Sequence, residues 1–211
     1  KENKTLYVPY GAKSVYENTP GWTGFKEIIE RECFSVLVTS IGYASMFVDK
    51  AVMIPNGVIA YTANKVENNF VELQEIEGII PANTGVIIGA TEGCYQFDIV
   101  DEMVEPITGN LFHGTVVDEW ISLPKGVSAY VLSLVDGEVG MYLAKLTDGC
   151  FLNNANKVYL LLDNNKLGIS DEELDTSEGG AQLSLRFDFV DTTGVDEVQT
   201  ETGVNNAIYD M

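Results

Sequence analysis

Apolar and polar residues alternate along most of the chain after about Phe34. The runs "SVLVTS" (35–40), "GVIAYTA" (57–63), "FVELQEI" (70–76), "GVIIGA" (85–90) and "YQFDIV" (95–100) are β-branched and aromatic. So are "SAYVLSLV" (128–135), "VGMYLAKL" (139–146), "KVYLLLD" (157–163) and "AQLSLRFDFV" (181–190). Gly, Asn, Asp and Pro separate them. A two-residue period sends one set of side chains to a core and the other to solvent, so each run reads as a strand. No stretch carries the period of a long helix. The acidic stretch "SDEELDTSEGG" (170–180) reads as a solvated loop, with at most one helical turn after Ser170.

The first thirty residues follow a different pattern. "TLYVP" alternates Leu6 and Val8 with Thr5 and Tyr7 and stops at Pro9, which cannot continue a ladder. "AKSVYEN" (12–18) tolerates helix and groups Ala12, Val15 and Tyr16 on one face. "TPGW" breaks the pattern, and "FKEIIE" (25–30) returns to an extended one. The expectation is strand, short helix and return strand, with Trp22 and Phe25 in packing roles. Such a unit cannot bury its apolar sides alone but can when stacked on a similar unit.

The long β region repeats itself. "IPNGVIAY" (54–61) matches "LPKGVSAY" (123–130), "PANTGVII" (81–88) matches "NANKVYLL" (154–161), and "QFDIV" (96–100) matches "RFDFV" (186–190). The anchors keep their order, with separations of 69, 73 and 90 residues that grow as loop insertions in a second copy would make them. Pro-x-Gly marks a turn, with Pro55 or Pro124 setting φ and Gly57 or Gly126 free to be left-handed. Asn83 and Asn156 suit tight turns because Asn tolerates the same region. Phe97 and Phe187 read as core anchors, with Asp98 and Asp188 pointing outward. The shared residues serve turns and packing, and no nucleophile, base or ligand set recurs.

The opening pattern L-Y-V-P-x-G-x-K-x-x-Y, followed by G-W-x-x-F-K-x-I-x-E, resembles the last repeat of BspA-like leucine-rich-repeat surface proteins of Bacteroidales bacteria. The similarity covers Thr5 to Glu30. It implies further repeats upstream of Lys1 and a different domain downstream. That domain is similar too: its phrases stand here as "GYAS" from Gly42, "PNGVIAY" and "IPANT" from Ile80, over roughly Phe34 to Val198. Asn154 replaces the Pro81 of the first copy. "TGVDEVQTETGVNNAIYDM" (193–211) resembles the family's approach to a sorting-type segment, with "IYDM" as its cut-off start. The resemblance implies no catalytic activity.

Composition narrows the chemistry. The 211 residues carry 32 acidic against 12 basic side chains, a net charge of −20, which repels phosphate backbones and anionic lipid. Nucleic-acid and membrane-surface binding are therefore not expected, and membrane insertion is not expected because no apolar run approaches the length of a membrane helix. Cys33, Cys94 and Cys150 are odd in number and widely spaced, so they read as free thiols, and neither a disulfide framework nor a zinc site is expected. The only histidine, His113, has no second His to share a metal or base role. No phosphate-binding or nucleophile-elbow motif occurs. "DNNKLGISDEEL" from Asp163 fails the EF-hand pattern at Leu167 and Leu174, and leaves Asp163, Asp171 and Glu172 as an irregular calcium candidate. Exposed Tyr7, Tyr10 or Trp120 would offer faces for sugars, with edge or packing roles as the alternative.

The expected fold is mainly β. A small αβ unit of the leucine-rich-repeat type (1–32) precedes an internally duplicated antiparallel β-sandwich or barrel-like domain (33–198). Its copies span about 36–105 and 106–192, and a truncated tail starts at 199–211. The expected role is a non-catalytic secreted or cell-surface module of a Gram-negative bacterium. It would cap the array and support adhesion to a host protein or polysaccharide through upstream repeats, with no cofactor. A purely structural spacer and a carbohydrate-active enzyme fragment are the alternatives. A concave strip of exposed aromatics would favour the binding role.

Overall fold

The computed structural model describes residues 4–9, 12–101, 103–167 and 184–190. The αβ unit contains β1 (Thr5–Pro9), α1 (Lys13–Asn18) and β2 (Glu27–Arg31). The β domain then runs through β3 (Cys33–Val38), β4 (Tyr43–Val48), β5 (Val52–Met53), β6 (Val58–Glu67), β7 (Phe70–Ile76), β8 (Ile79–Ile80), β9 (Thr84–Ala90) and β10 (Gly93–Asp98). It continues with β11 (Phe112–Thr115), β12 (Glu119–Ser122), β13 (Val127–Val135), β14 (Glu138–Leu143), β15 (Cys150–Asn153), β16 (Lys157–Asp163), the single turn α2 (Asn164–Leu167) and β17 (Ser184–Val190). The expected acidic turn after Ser170, the tail from 199 onward and Tyr10 lie outside the described residues.

Strand, helix and return strand form as the opening segment predicts. β1 and β2 pair in parallel, Leu6 opposite Ile28 and Val8 opposite Glu30, in a two-stranded sheet of their own. Val8 and Ile28 are buried. The helix contributes less than its pattern suggests: none of its residues is buried, and Val15 is 62% exposed. Six residues are too few for a helix stable in isolation. A backbone bond from Lys13 to the Glu30 carboxylate (2.7 Å) and the Tyr16–Trp22–Phe25 ring cluster hold it to the strands.

The β domain is built on a nine-stranded sheet ordered β11-β16-β13-β14-β17-β7-β6-β9-β4. It curls until its end strands approach, giving a nearly closed barrel rather than a sandwich. Phe47 of β4 donates its N–H to the Asn156 carbonyl (3.0 Å), and the Asn156 amide donates to the Phe47 carbonyl (3.0 Å). Gly114 on β11 lies against the Phe47 ring, where a β-carbon would collide. Inside sit Ala63, Leu73, Ile87, Tyr130, Met141 and Leu160. A second core, containing Met46, Val86, Ile88 and Ala60, lies between the outer face of β4, β9 and β6 and the β3–β10 ladder with Val36, Val38 and Phe97. This explains the unbroken apolar run of β9, because Val86 and Ile88 face one core and Ile87 the other. Each such side chain contributes about 1.5–3 kcal/mol on burial.

Two of the three sequence anchors occupy matching places. Val58 pairs with Ala90 and Tyr61 with Ile87; Val127 pairs with Asp163 and Tyr130 with Leu160. Gly57 and Gly126 have φ of 80° and 78°, and Asn83 and Asn156 have φ of 56° and 60°, as their turns require. Both sheet halves share one order, β4-β9-β6-β7 and β11-β16-β13-β14.

The third anchor does not match in place. β10 pairs antiparallel with β3 and buries Phe97 completely in the outer core. β17 instead enters the large sheet, parallel to β7 and antiparallel to β14, and leaves Phe187 at the edge of the barrel core. A five-residue alternation fixes which side chains share a face but says nothing about which neighbours the strand takes.

Candidate functional site

The residues considered for chemistry in the sequence are dispersed. His113 is exposed on β11 and stacks on Tyr159, ring centroids 5.6 Å apart. Cys33, Cys94 and Cys150 are free thiols. The Asp163 carboxylate accepts from the Asn165 backbone (2.9 Å) and side chain (3.2 Å), while Asp171 and Glu172 lie outside the described residues. Among the described residues no group of three His, Cys, Asp or Glu side chains is placed to hold a metal. Trp120 is 59% exposed, on the short β12–β15 ladder opposite Leu152. No described helix is long and apolar enough to cross a membrane.

Two features bring side chains together. The first is a groove at the seam between the αβ unit and the β domain. One lobe, of about 730 Å³, is lined by Tyr7, Ile29, Arg31 and Met53; a second, of about 600 Å³, adjoins it at Glu32 and Ile99–Asp101. Arg31 lies 3.9 Å from the centre of the Tyr7 ring and pairs with Asp98 at 3.2 Å. Lys50 pairs with Glu32 at 2.8 Å, and this bond holds the Glu32 carboxyl below its ordinary range. A general acid needs the opposite displacement. These ion pairs are solvent-facing, so each holds the αβ unit to the β domain only weakly.

The second feature is the end of the barrel where β4 and β6 begin and β17 ends. Tyr43 from β4, Tyr61 from β6 and Phe187 and Phe189 from β17 meet there. Tyr43 and Phe189 are stacked (6.3 Å, 24° between planes), and Tyr61 meets Phe189 edge-on at 5.1 Å. Gly89 lies under the two tyrosines: a β-carbon there would touch them in ordinary contact, 3.4 Å from the Tyr61 ring and 3.5 Å from the Tyr43 ring. Partial burial, with Glu75 and Tyr43 adding to it, raises the Tyr61 phenol above its usual range.

Comparison with family models, with curated proteins and with solved structures finds no match for the chain.

The aromatic end was not singled out in the sequence. Its members stand at positions 43, 61, 187 and 189, and only the last two carry a local signal: Phe187 and Phe189 share one face of a strand by their two-residue spacing.

Proposed function

We propose that the chain is the C-terminal part of a secreted or cell-surface protein of the BspA-like leucine-rich-repeat kind, from a Gram-negative Bacteroidales bacterium. The αβ unit closes a repeat array, and a β domain of two related units follows it. The module is non-catalytic and works in adhesion or ligand binding. The observation that carries this reading is the parallel β1–β2 ladder joined by a short helix, whose β1 strand has a free edge among the described residues. A parallel strand from a preceding rung would satisfy that edge and cover the exposed helix, as stacked repeats do. The paired registers of β6–β9 and β13–β16 support the two related units.

Hydrogen exchange tests the cap. In a longer protein carrying the upstream repeats, alternate amides of Thr5–Pro9 should exchange more slowly than in the 211-residue chain. Equal exchange in both proteins would remove the reading. A panel of glycoside and peptide substrates should show no turnover by the 211-residue chain.

A further inference from the structure

The aromatic end of the barrel differs from its counterpart in the other half. Tyr61 and Tyr130 hold matching register positions, as do Gly89 and Leu162. Tyr130 is only 1% exposed, so around it the barrel is filled. Around Tyr61 it is open: Phe189 is 43% and Ile59 41% exposed, although both stand on strand positions that face the barrel interior. An aromatic plug would be covered, and this one presents a ring to solvent.

Polar groups suited to hydroxyl ligands stand beside that ring. Glu75 lies directly opposite Tyr61 across the β6–β7 ladder, so the two side chains share a face, and Glu75 is exposed. The Tyr61 and Tyr43 hydroxyls have no hydrogen-bond acceptor among the described residues. A sugar ring needs this combination: an aromatic face for its C–H side and a carboxylate plus phenols for its hydroxyls. The local carboxylate and the net charge of −20 select against uronic or sulfated sugars.

We propose that this end of the barrel binds a neutral sugar ring of a glycan, stacked on Phe189, with Glu75 accepting hydrogen bonds from its hydroxyls. The inference rests on the ligand-binding part of the proposed function, and it moves binding from the upstream repeats into the β domain.

The test is affinity electrophoresis of the 211-residue chain in gels containing mixed-linkage β-glucan, mannan, galactan or xylan, with hyaluronate as the anionic comparison. At least one neutral glycan should retard the protein, and hyaluronate should not. Phe189→Ala should weaken that binding by about tenfold, the scale of one aromatic contact. Phe189→Trp should retain it. Glu75→Gln, at an exposed position, should weaken it several-fold with the thermal midpoint unchanged. Retardation by no neutral glycan, retardation by hyaluronate to the same degree, or full binding by Glu75→Gln and Phe189→Ala would each overturn the proposal. Exchange at β1 is unaffected by these substitutions, so the cap reading stands or falls separately.

Discussion

Asn83 and Asn156 occupy matching turns but do different amounts of work, and substitution separates the two roles. Both hold a left-handed backbone, φ 56° and 60°. Both donate their backbone N–H to the end of another strand, Asn83 to Val48 of β4 (2.8 Å) and Asn156 to Thr115 of β11 (2.7 Å). Asn156 alone also bonds Phe47 through its side-chain amide and its carbonyl, across the gap where the barrel closes. Glycine keeps the left-handed turn at either site. Its extra backbone entropy, about 0.5–1 kcal/mol, is common to both variants and cancels in their difference. Asn156→Gly additionally loses a hydrogen bond and strips the half-buried Phe47 carbonyl of a donor, for about 1–2 kcal/mol in all. Alanine adds a left-handed penalty of about 1–2 kcal/mol at each site. Urea unfolding followed by far-ultraviolet circular dichroism measures this. With a slope of about 2 kcal/mol per molar, Asn156→Gly should unfold roughly 0.5–1 M earlier than Asn83→Gly. Equal midpoints for the two glycine variants would refute the claim that Asn156 fastens the barrel.

Phe97→Ala should cost about 3–5 kcal/mol in the same experiment, as a fully enclosed ring, and Phe187→Ala clearly less, because the two matched phenylalanines sit in different places. Thiol titration of the denatured, unreduced chain should find three reactive groups; in the native chain the exposed Cys94 should react first. Burial pushes the Tyr130 phenol up to about 12, so the folded state keeps a proton that the unfolded chain releases near pH 10. Its contribution is intact below pH 10 and is lost as pH rises toward about 12. Absorbance near 295 nm should show one tyrosine ionising only with unfolding.

Much of the fold was legible because it rests on local rules. Alternation placed the long strands, and Pro-x-Gly and Asn placed the turns whose φ values demand them. The short ladders β5–β8 and β12–β15 were not, since strands of two to four residues carry too little pattern. The match of "QFDIV" to "RFDFV" misled because the two strands differ in their neighbours, which no local spacing encodes. The aromatic end failed to appear for a related reason: Tyr43 and Phe189 meet only because β17 lies in the sheet beside β7 while Tyr43 comes from its far edge strand.

The position of β17 also sets an order of assembly. Remove Ser184–Val190 and the nine-stranded sheet falls into two four-stranded antiparallel sheets, each made of strands close in sequence, and each ending in a bare edge at β7 or β14. Those halves close short loops and can form while the chain is still emerging from the ribosome. Strand β17 is the last strand described, and it is the piece that satisfies both edges at once. Until it arrives, β7 and β14 are templates for strands of other chains. Released chains that end before residue 184 should therefore aggregate, whereas released chains that include residue 190 should stay dispersed, and light scattering of the two set side by side reads the difference directly.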